Sequence, residues 1–319
     1  NDIENVKALG FNAFRLFVYW GLIQPYNETV NGIDESYFTS AKYPLKHGLD
    51  EVVNWAVQEN MYFIINLCWT QTWTPPSWAF PGITDDSQRY GALFSGAASK
   101  EVTGIMNTWK YIANRYKDVP NVMFEFLNEP CVSDESLAGN GYKTFNEEVI
   151  SAIESVETKS HLKLVELLLD SVHWQEILDT ALDIDKPNVL WATHCYSPMY
   201  NWDPNGSYWH GSFMWHGQYF PEGWGNGTTY VAWRIIRSAD KIHSWNKPWI
   251  NTEFSKAVTQ TYWEDWFELV LNTKAEYNAT GWGLWCYCSD PNFEVGWNIN
   301  NPTTQQKIMG EISPYMVQP

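Results

Sequence analysis

The sequence predicts an α/β fold, a (β/α)8 TIM barrel whose first strand is absent from this chain. Three observations lead there. Helical and strand patterns alternate from end to end. Each strand reads as a near-continuous apolar run, as expected when both faces of a parallel sheet are covered. The long connections, Gln71 to Ser99 and Pro198 to Gly227, follow strands, whereas helices pass into strands through short links, an asymmetry that marks one face as functional. The 319 residues suit one large barrel, so 1–319 is read as a single domain with no linker.

The elements follow in order. Asp2 to Gly10 has apolar helical spacing and a glycine stop, and a strand follows at Ala13 to Tyr19. Next come a helix over Gly48 to Glu59, a strand over Tyr62 to Trp69, a helix over Lys100 to Tyr116 and a strand ending at Glu129. A helix over Tyr142 to Val156, a strand around Leu162 to Leu169, a short helix near Trp174 to Leu182 and a strand at Val189 to Cys195 continue the alternation. The chain closes with a helix at Thr229 to Ser244, a strand at Trp249 to Glu253, a helix over Tyr262 to Tyr277, a strand at Gly281 to Tyr287 and a helix at Pro302 to Tyr315. Because a helix precedes the first of these strands, the missing strand is expected upstream of Asn1.

Composition narrows the partners. A net charge of -17, from 37 acidic and 20 basic residues, disfavours nucleic acid and anionic membrane surfaces but does not repel a neutral polymer. Twenty tryptophans exceed what a core needs, and flat rings with a polar handle suit sugars, a Trp-rich core or a protein-binding patch. No apolar run of about 18 residues is present, and no signal-type stretch opens the chain. Four sequons, at Asn27, Asn205, Asn226 and Asn278, lean slightly toward secretion. Cys68, Cys131, Cys195, Cys286 and Cys288 fall at or just beyond predicted strand ends, where buried thiols are a better reading than a Cys68 to Cys131 bridge. No CxxC pair or clustered His spacing suggests a metal, and no cofactor is expected.

Asn121-Val122-Met123-Phe124-Glu125-Phe126-Leu127-Asn128-Glu129-Pro130 is the most informative stretch, an apolar run that delivers an Asn-Glu pair where a proline ends the ladder. Pro248-Trp249-Ile250-Asn251-Thr252-Glu253-Phe254-Ser255 supplies a second carboxylate, Glu253, at the end of another short apolar run. Barrel enzymes build their sites from strand ends, and two such carboxylates are the minimum for cleaving a glycosidic bond.

With Arg15 in Phe14-Arg15-Leu16, Asn128-Glu129-Pro130, His194-Cys195-Tyr196, Thr252-Glu253-Phe254 and Trp285 in Gly283-Leu284-Trp285, the chain resembles glycoside hydrolase family 5, cellulase-like members of the clan of retaining (β/α)8 glycosidases. The resemblance implies one catalytic domain in which Glu129 is the acid/base and Glu253 the nucleophile, with carboxyl groups about 5 to 5.5 Å apart. It implies that Arg15 and the Tyr196 hydroxyl keep Glu253 ionised, that Asn128 bonds the sugar 2-hydroxyl, and that Trp285 floors the subsite beside the scissile bond. His194 shares a strand face with Tyr196 and either binds a hydroxyl or orients a carboxylate. As the acid, Glu129 needs an apolar or anionic neighbourhood, for which Phe124, Phe126 and loop aromatics are candidates. The family histidine on the third strand is replaced by Asn66-Leu67-Cys68-Trp69-Thr70-Gln71, with Trp69 or Asn66 filling the position.

Trp73, Trp78, Trp202, Trp209, Trp215, Trp224 and Trp297 lie in or near loops that follow strands, which suits several sugar subsites in an open cleft. The tryptophans suit endo action, and the family resemblance implies β-1,4-glucan as the polymer with β-mannan second; the expectation is a secreted, monomeric endo-β-1,4-glucanase acting on polysaccharide or oligosaccharide. A carbohydrate-binding barrel without catalysis, or a protein-interaction surface, is the reading from another class. A lectin-like barrel has no need of both Glu129 and Glu253.

Overall fold

A computed structural model describes residues 2–41, 46–69, 75–167, 169–170, 182–198, 202–288 and 296–316. The predicted helix near Trp174 to Leu182 and the side chain of Trp73 lie outside the described residues.

Among the described residues the main sheet has seven strands, and chain neighbours are sheet neighbours throughout. They are β1 Ala13–Tyr19, β2 Tyr62–Cys68, β3 Val122–Glu125, β4 Lys163–Glu166, β5 Val189–Cys195, β6 Trp249–Phe254 and β7 Trp282–Leu284. The flanking helices are α1 Asp2–Ala8, α2 Leu49–Gln58, α3 Ser99–Tyr116, α4 Asn140–Glu154, α5 Gly227–Ser244, α6 Trp263–Glu276 and α7 Pro302–Ile312. Parallel strands in sequential order with helices between them are the order of a (β/α)8 barrel. The chain forms two compact units whose boundary falls inside β5, after Leu190.

In the first unit β1 pairs with β2 from Ala13↔Tyr62 to Tyr19↔Cys68, β2 pairs with β3, and β3 pairs with β4, all in parallel. Helix α3 shows why its residues fold as they do. Ile105, Thr108, Trp109, Ile112, Ala113 and Tyr116 are buried at helical spacing, so one stripe enters the core. Trp109 packs edge-on against Phe124 and Phe126, with ring centroids 5.8 and 5.6 Å away.

In the second unit β5, β6 and β7 are parallel neighbours. Helix α5 begins where the Asn226 side chain accepts from the Thr229 N–H at 2.9 Å. Helix α7 begins where the Asn301 side chain accepts from Thr303 and Thr304, with Pro302 in the first turn. Each is a side-chain cap for an orphan backbone donor.

One predicted boundary is wrong in a way that matters. The strand expected to end at Glu129 ends at Glu125; the Phe126 N–H still donates to the Leu164 carbonyl at 3.4 Å, and Leu127 to Pro130 leave the ladder. Pattern alone missed this because Phe126 and Leu127 are as buried as strand residues, 1% and 2% exposed. The long connections also contain structure of their own: a helix at Asp86–Phe94, and short antiparallel pairs joining Tyr208–His210 to Gly223–Gly225 and Phe213–Trp215 to Gln218–Phe220.

Helix α2 is tied to α3 by Arg115, whose Nε and Nη2 donate to the two Asp50 oxygens at 2.7 and 2.5 Å. Burial alone would raise the Asp50 carboxyl, but the Arg115 fork and the Tyr116 hydroxyl outweigh it and hold it below the usual carboxylate range. A depressed folded-state pKa contributes stability that is present above the unfolded value and is lost as pH falls through the folded one. Asp50→Asn is therefore expected to flatten the loss of stability between about pH 5 and pH 2, read as urea midpoints across that range. An acid limb identical to wild type would remove Asp50 from it.

Candidate active site

Two clusters of polar side chains gather at strand ends, one in each unit. In the first, strand β3 stops and four residues after it are held one by one from outside the ladder. The Trp109 indole donates to the Phe126 carbonyl at 3.3 Å, and the Asn66 amide donates to the Leu127 carbonyl at 3.3 Å. The Tyr90 hydroxyl donates to the Asn128 carbonyl at 2.7 Å, and Glu166 Oε2 accepts the Glu129 N–H at 2.8 Å. Glu129 itself sits at φ +46°, in the left-handed region that a non-glycine residue occupies only when its surroundings require it.

Arg15 reaches this segment from β1. Its Nη2 donates to Asn128 Oδ1 at 2.9 Å, and its Nε donates to Glu125 Oε2. Glu125 is fully buried, so the guanidinium compensates a carboxylate that would be costly alone. These bonds fix the Asn128 amide, with its oxygen on Arg15 and its NH2 available for another acceptor. Phe124 and Phe126 turn toward Trp109 and fill the core.

The second cluster depends on an irregularity in β6. Asn251 pairs with Thr193, but the next pair is Glu253 with His194, so Thr252 is one extra residue against β5. Without it, strand alternation would put Asn251 and Glu253 on one face. With it they part. Asn251 turns to the helix layer, where it donates to the Thr193 carbonyl at 2.8 Å and accepts from Lys274 Nζ of α6 at 2.7 Å.

Glu253 turns to the face carrying His194 and Tyr196. The Tyr196 hydroxyl donates to Glu253 Oε2 at 2.6 Å, and His194 Nδ1 lies 3.7 Å from the same oxygen. Glu253 is 6% exposed, and the short Tyr196 hydroxyl bond fixes the position of its Oε2. On the other side Gly283 makes room for the bulge, since a Cβ there would stand 2.5 Å from the Thr252 carbonyl oxygen.

The remaining sequence candidates fall variously. Trp285 is half-buried, and its N–H donates to the Phe254 carbonyl at 3.0 Å. Trp69 is 1% exposed and lies among Trp20, Phe80 and Tyr90, which leaves no face for a sugar; it packs beneath the site. Asn66 holds Leu127 as described. Trp202 is likewise buried at 2% exposure, whereas Trp209 and Trp224 are 48% and 74% exposed and directly opposite one another in their antiparallel pair. Cys68, Cys131, Cys195 and Cys286 are buried and carry thiols rather than disulfides, and burial pushes the Cys131 thiol up to about 12.

Sequence reasoning missed Tyr90, Glu166 and Lys274. Glu166 ends β4, but Leu167-Leu168-Leu169 follow it in the sequence, so no end of an apolar run marks it as one marks Glu129 and Glu253. Tyr90 and Lys274 carry no such local signal, because helical residues reveal their partners only through the fold.

Comparison with known proteins identifies the family. The model of the family Cellulase (glycosyl hydrolase family 5) matches residues 1–290, and the chain belongs to that family. It is 30% identical over 221 residues to the cellulase/esterase CelE of Acetivibrio thermocellus, covering 65% of this chain and 24% of that protein. To endoglucanase B of Clostridium cellulovorans it is 28% identical over 210 residues, 62% of this chain and 42% of that one. The chain thus spans less than half the length of these relatives. Thermotoga maritima Cel5A in complex with mannotriose has the same fold, with a TM-score of 0.62, 17% identity, and coverage of 98% of this chain and 89% of that one.

Lys274 is 1% exposed, and burial pushes its amine well below the usual lysine range. Removing only its partner leaves a buried polar group uncompensated. Asn251→Leu is expected to lower stability by about 2 to 4 kcal/mol, and the double change with Lys274→Met to recover most of that, measured by urea unfolding as a double-mutant cycle. Simple additivity of the two changes would dissolve the coupling.

Proposed function

We propose that this chain is the catalytic domain of an endo-acting, retaining glycoside hydrolase that cleaves β-1,4-glucan. The observation that carries the reading is Glu253 at a strand end, hydrogen-bonded by Tyr196 and beside His194, in a chain of a glycoside hydrolase family. Relatives named cellulase and endoglucanase support the substrate.

In this mechanism Glu253 attacks the anomeric carbon while Glu129 protonates the departing glycosidic oxygen. Glu129, now a base, then takes a proton from the water that releases the glycosyl-enzyme ester. The Tyr196 hydroxyl fixes which oxygen Glu253 presents. Asn128, oriented by Arg15, is placed in this scheme to meet the 2-hydroxyl as positive charge develops on the sugar, and Trp285 to stack beside the scissile bond. His194 orients Glu253.

A β-mannanase is the second reading. It is supported by a neighbour of this fold described with mannotriose and also with cellobiose, which differ at the 2-hydroxyl. Exposed Trp209 and Trp224 suit stacking on further sugars of a polymer. The acidic, tryptophan-rich composition fits an extracellular monomer working on neutral polysaccharide, without nucleic acid or membrane as partner; among the described residues no helix is long and apolar enough to cross a membrane.

Reducing-end release from carboxymethylcellulose and from β-mannan, each with Glu253→Gln as blank, tests the reading. Glu253→Gln is expected to lose at least about a hundredfold in kcat with oligosaccharide binding nearly intact. Glu129→Ala is expected to lose more on polymer than on aryl glycosides with good leaving groups, which need no proton. Activity of Glu253→Gln near wild type, or equal losses of Glu129→Ala on both substrates, would reassign the roles.

A further inference from the structure

The turn that carries Glu129 departs from strand geometry, and a side chain outside the assigned site closes it. Glu166 ends β4 and is 2% exposed. Its carboxylate accepts the Glu129 N–H at 2.8 Å, and its own carbonyl accepts the Tyr142 hydroxyl from α4. Phe126, Leu127 and Asn128 are held through their carbonyls by neutral donors. The hold on Glu129 itself is a bond to a carboxylate, the stronger kind.

We propose that Glu166 is the positioning residue of the acid/base: its carboxylate locks the left-handed backbone at Glu129 and so aims the Glu129 side chain. This rests on the reading of Glu129 as acid/base. Glu129 has φ +46°, a conformation that persists only where the surroundings over-determine it. A buried amide that loses its acceptor pulls the backbone toward another solution. Displacing a reacting group by about 1 Å costs on the order of 100-fold in rate. Glu166 acts through the main chain of Glu129, so its loss should appear in the steps that need a proton transferred, not in substrate binding.

Three variants separate the bond from the charge. Glu166→Gln keeps an acceptor oxygen at the same reach, Glu166→Asp withdraws it by one methylene, and Glu166→Ala removes it. The Ala and Asp variants are expected to lose on the order of 100-fold in kcat on polymer, with KM within about twofold, and less than about tenfold in the first turnover of a dinitrophenyl glycoside, whose leaving group needs no acid. Glu166→Gln is expected to stay within about tenfold of wild type on both substrates, because its acceptor is retained. Hydrogen exchange at the Glu129 amide is expected to speed up in the Ala and Asp variants and to remain slow in Gln.

Wild-type amide exchange in every variant, a Gln variant as impaired as Ala, or equal losses on polymer and aryl glycoside would each overturn the proposal. If Glu166→Ala does not fold, the Asp and Gln pair carries the comparison. A wild-type enzyme inactive on both substrates would instead remove the acid/base reading, while amide exchange still decides whether Glu166 locks the turn.

Discussion

Period-two alternation is the constraint on which this structure turns. A β-strand gives each side chain one of two faces, and in a parallel sheet under helices one face belongs to the helix layer. A carboxylate meant for chemistry must therefore have the right parity or leave the rule. Both carboxylates assigned to the reaction leave it. Glu253 does so through the extra residue Thr252, which parts it from Asn251. Glu129 does so by lying beyond the end of β3 at a positive φ.

Neither exception would survive without support, and the buried polar groups supply it. Lys274, Asn251 and Thr193 make a chain of hydrogen bonds behind the bulge, and Gly283 leaves the room its carbonyl needs. In the first unit Trp109, Asn66, Tyr90 and Glu166 hold the four residues after β3. Such groups are costly to bury without hydrogen bonds, and the bonds they make here go to the backbone and side chains they hold in place. The outcome is orientation: a carboxylate oxygen on Tyr196 in one unit, an amide fixed by Arg15 in the other.

Much of this was legible in the residues. Apolar runs separated by helical patterns marked the seven strands, with β1 and β5 placed to the residue, because covered parallel strands leave an unmistakable imprint. Glu253 was marked by its strand-end position and His194 and Tyr196 by the family resemblance, and the structure brings all three together at one carboxylate oxygen. The end of β3 was misplaced because burial continues past it. Trp69 was offered for the place of the family histidine although it is buried among Trp20, Phe80 and Tyr90, since a tryptophan's sequence position does not tell which way its ring is buried. Lys274 and Tyr90 act across the fold from helices, and nothing local distinguishes them from core or surface residues. Glu166 was passed over because Leu167-Leu168-Leu169 carry the apolar pattern beyond it.

The claim that the two displaced carboxylates divide the work of a retaining hydrolase is tested most directly by trapping the ester. A 2-fluoro glycoside with a good leaving group slows release more than formation of the glycosyl-enzyme, and peptide mass mapping locates the sugar. The account predicts a single label on Glu253 that forms in the wild type and is absent in Glu253→Gln. A label on another carboxylate, or product with inverted anomeric configuration and no label, would contradict it.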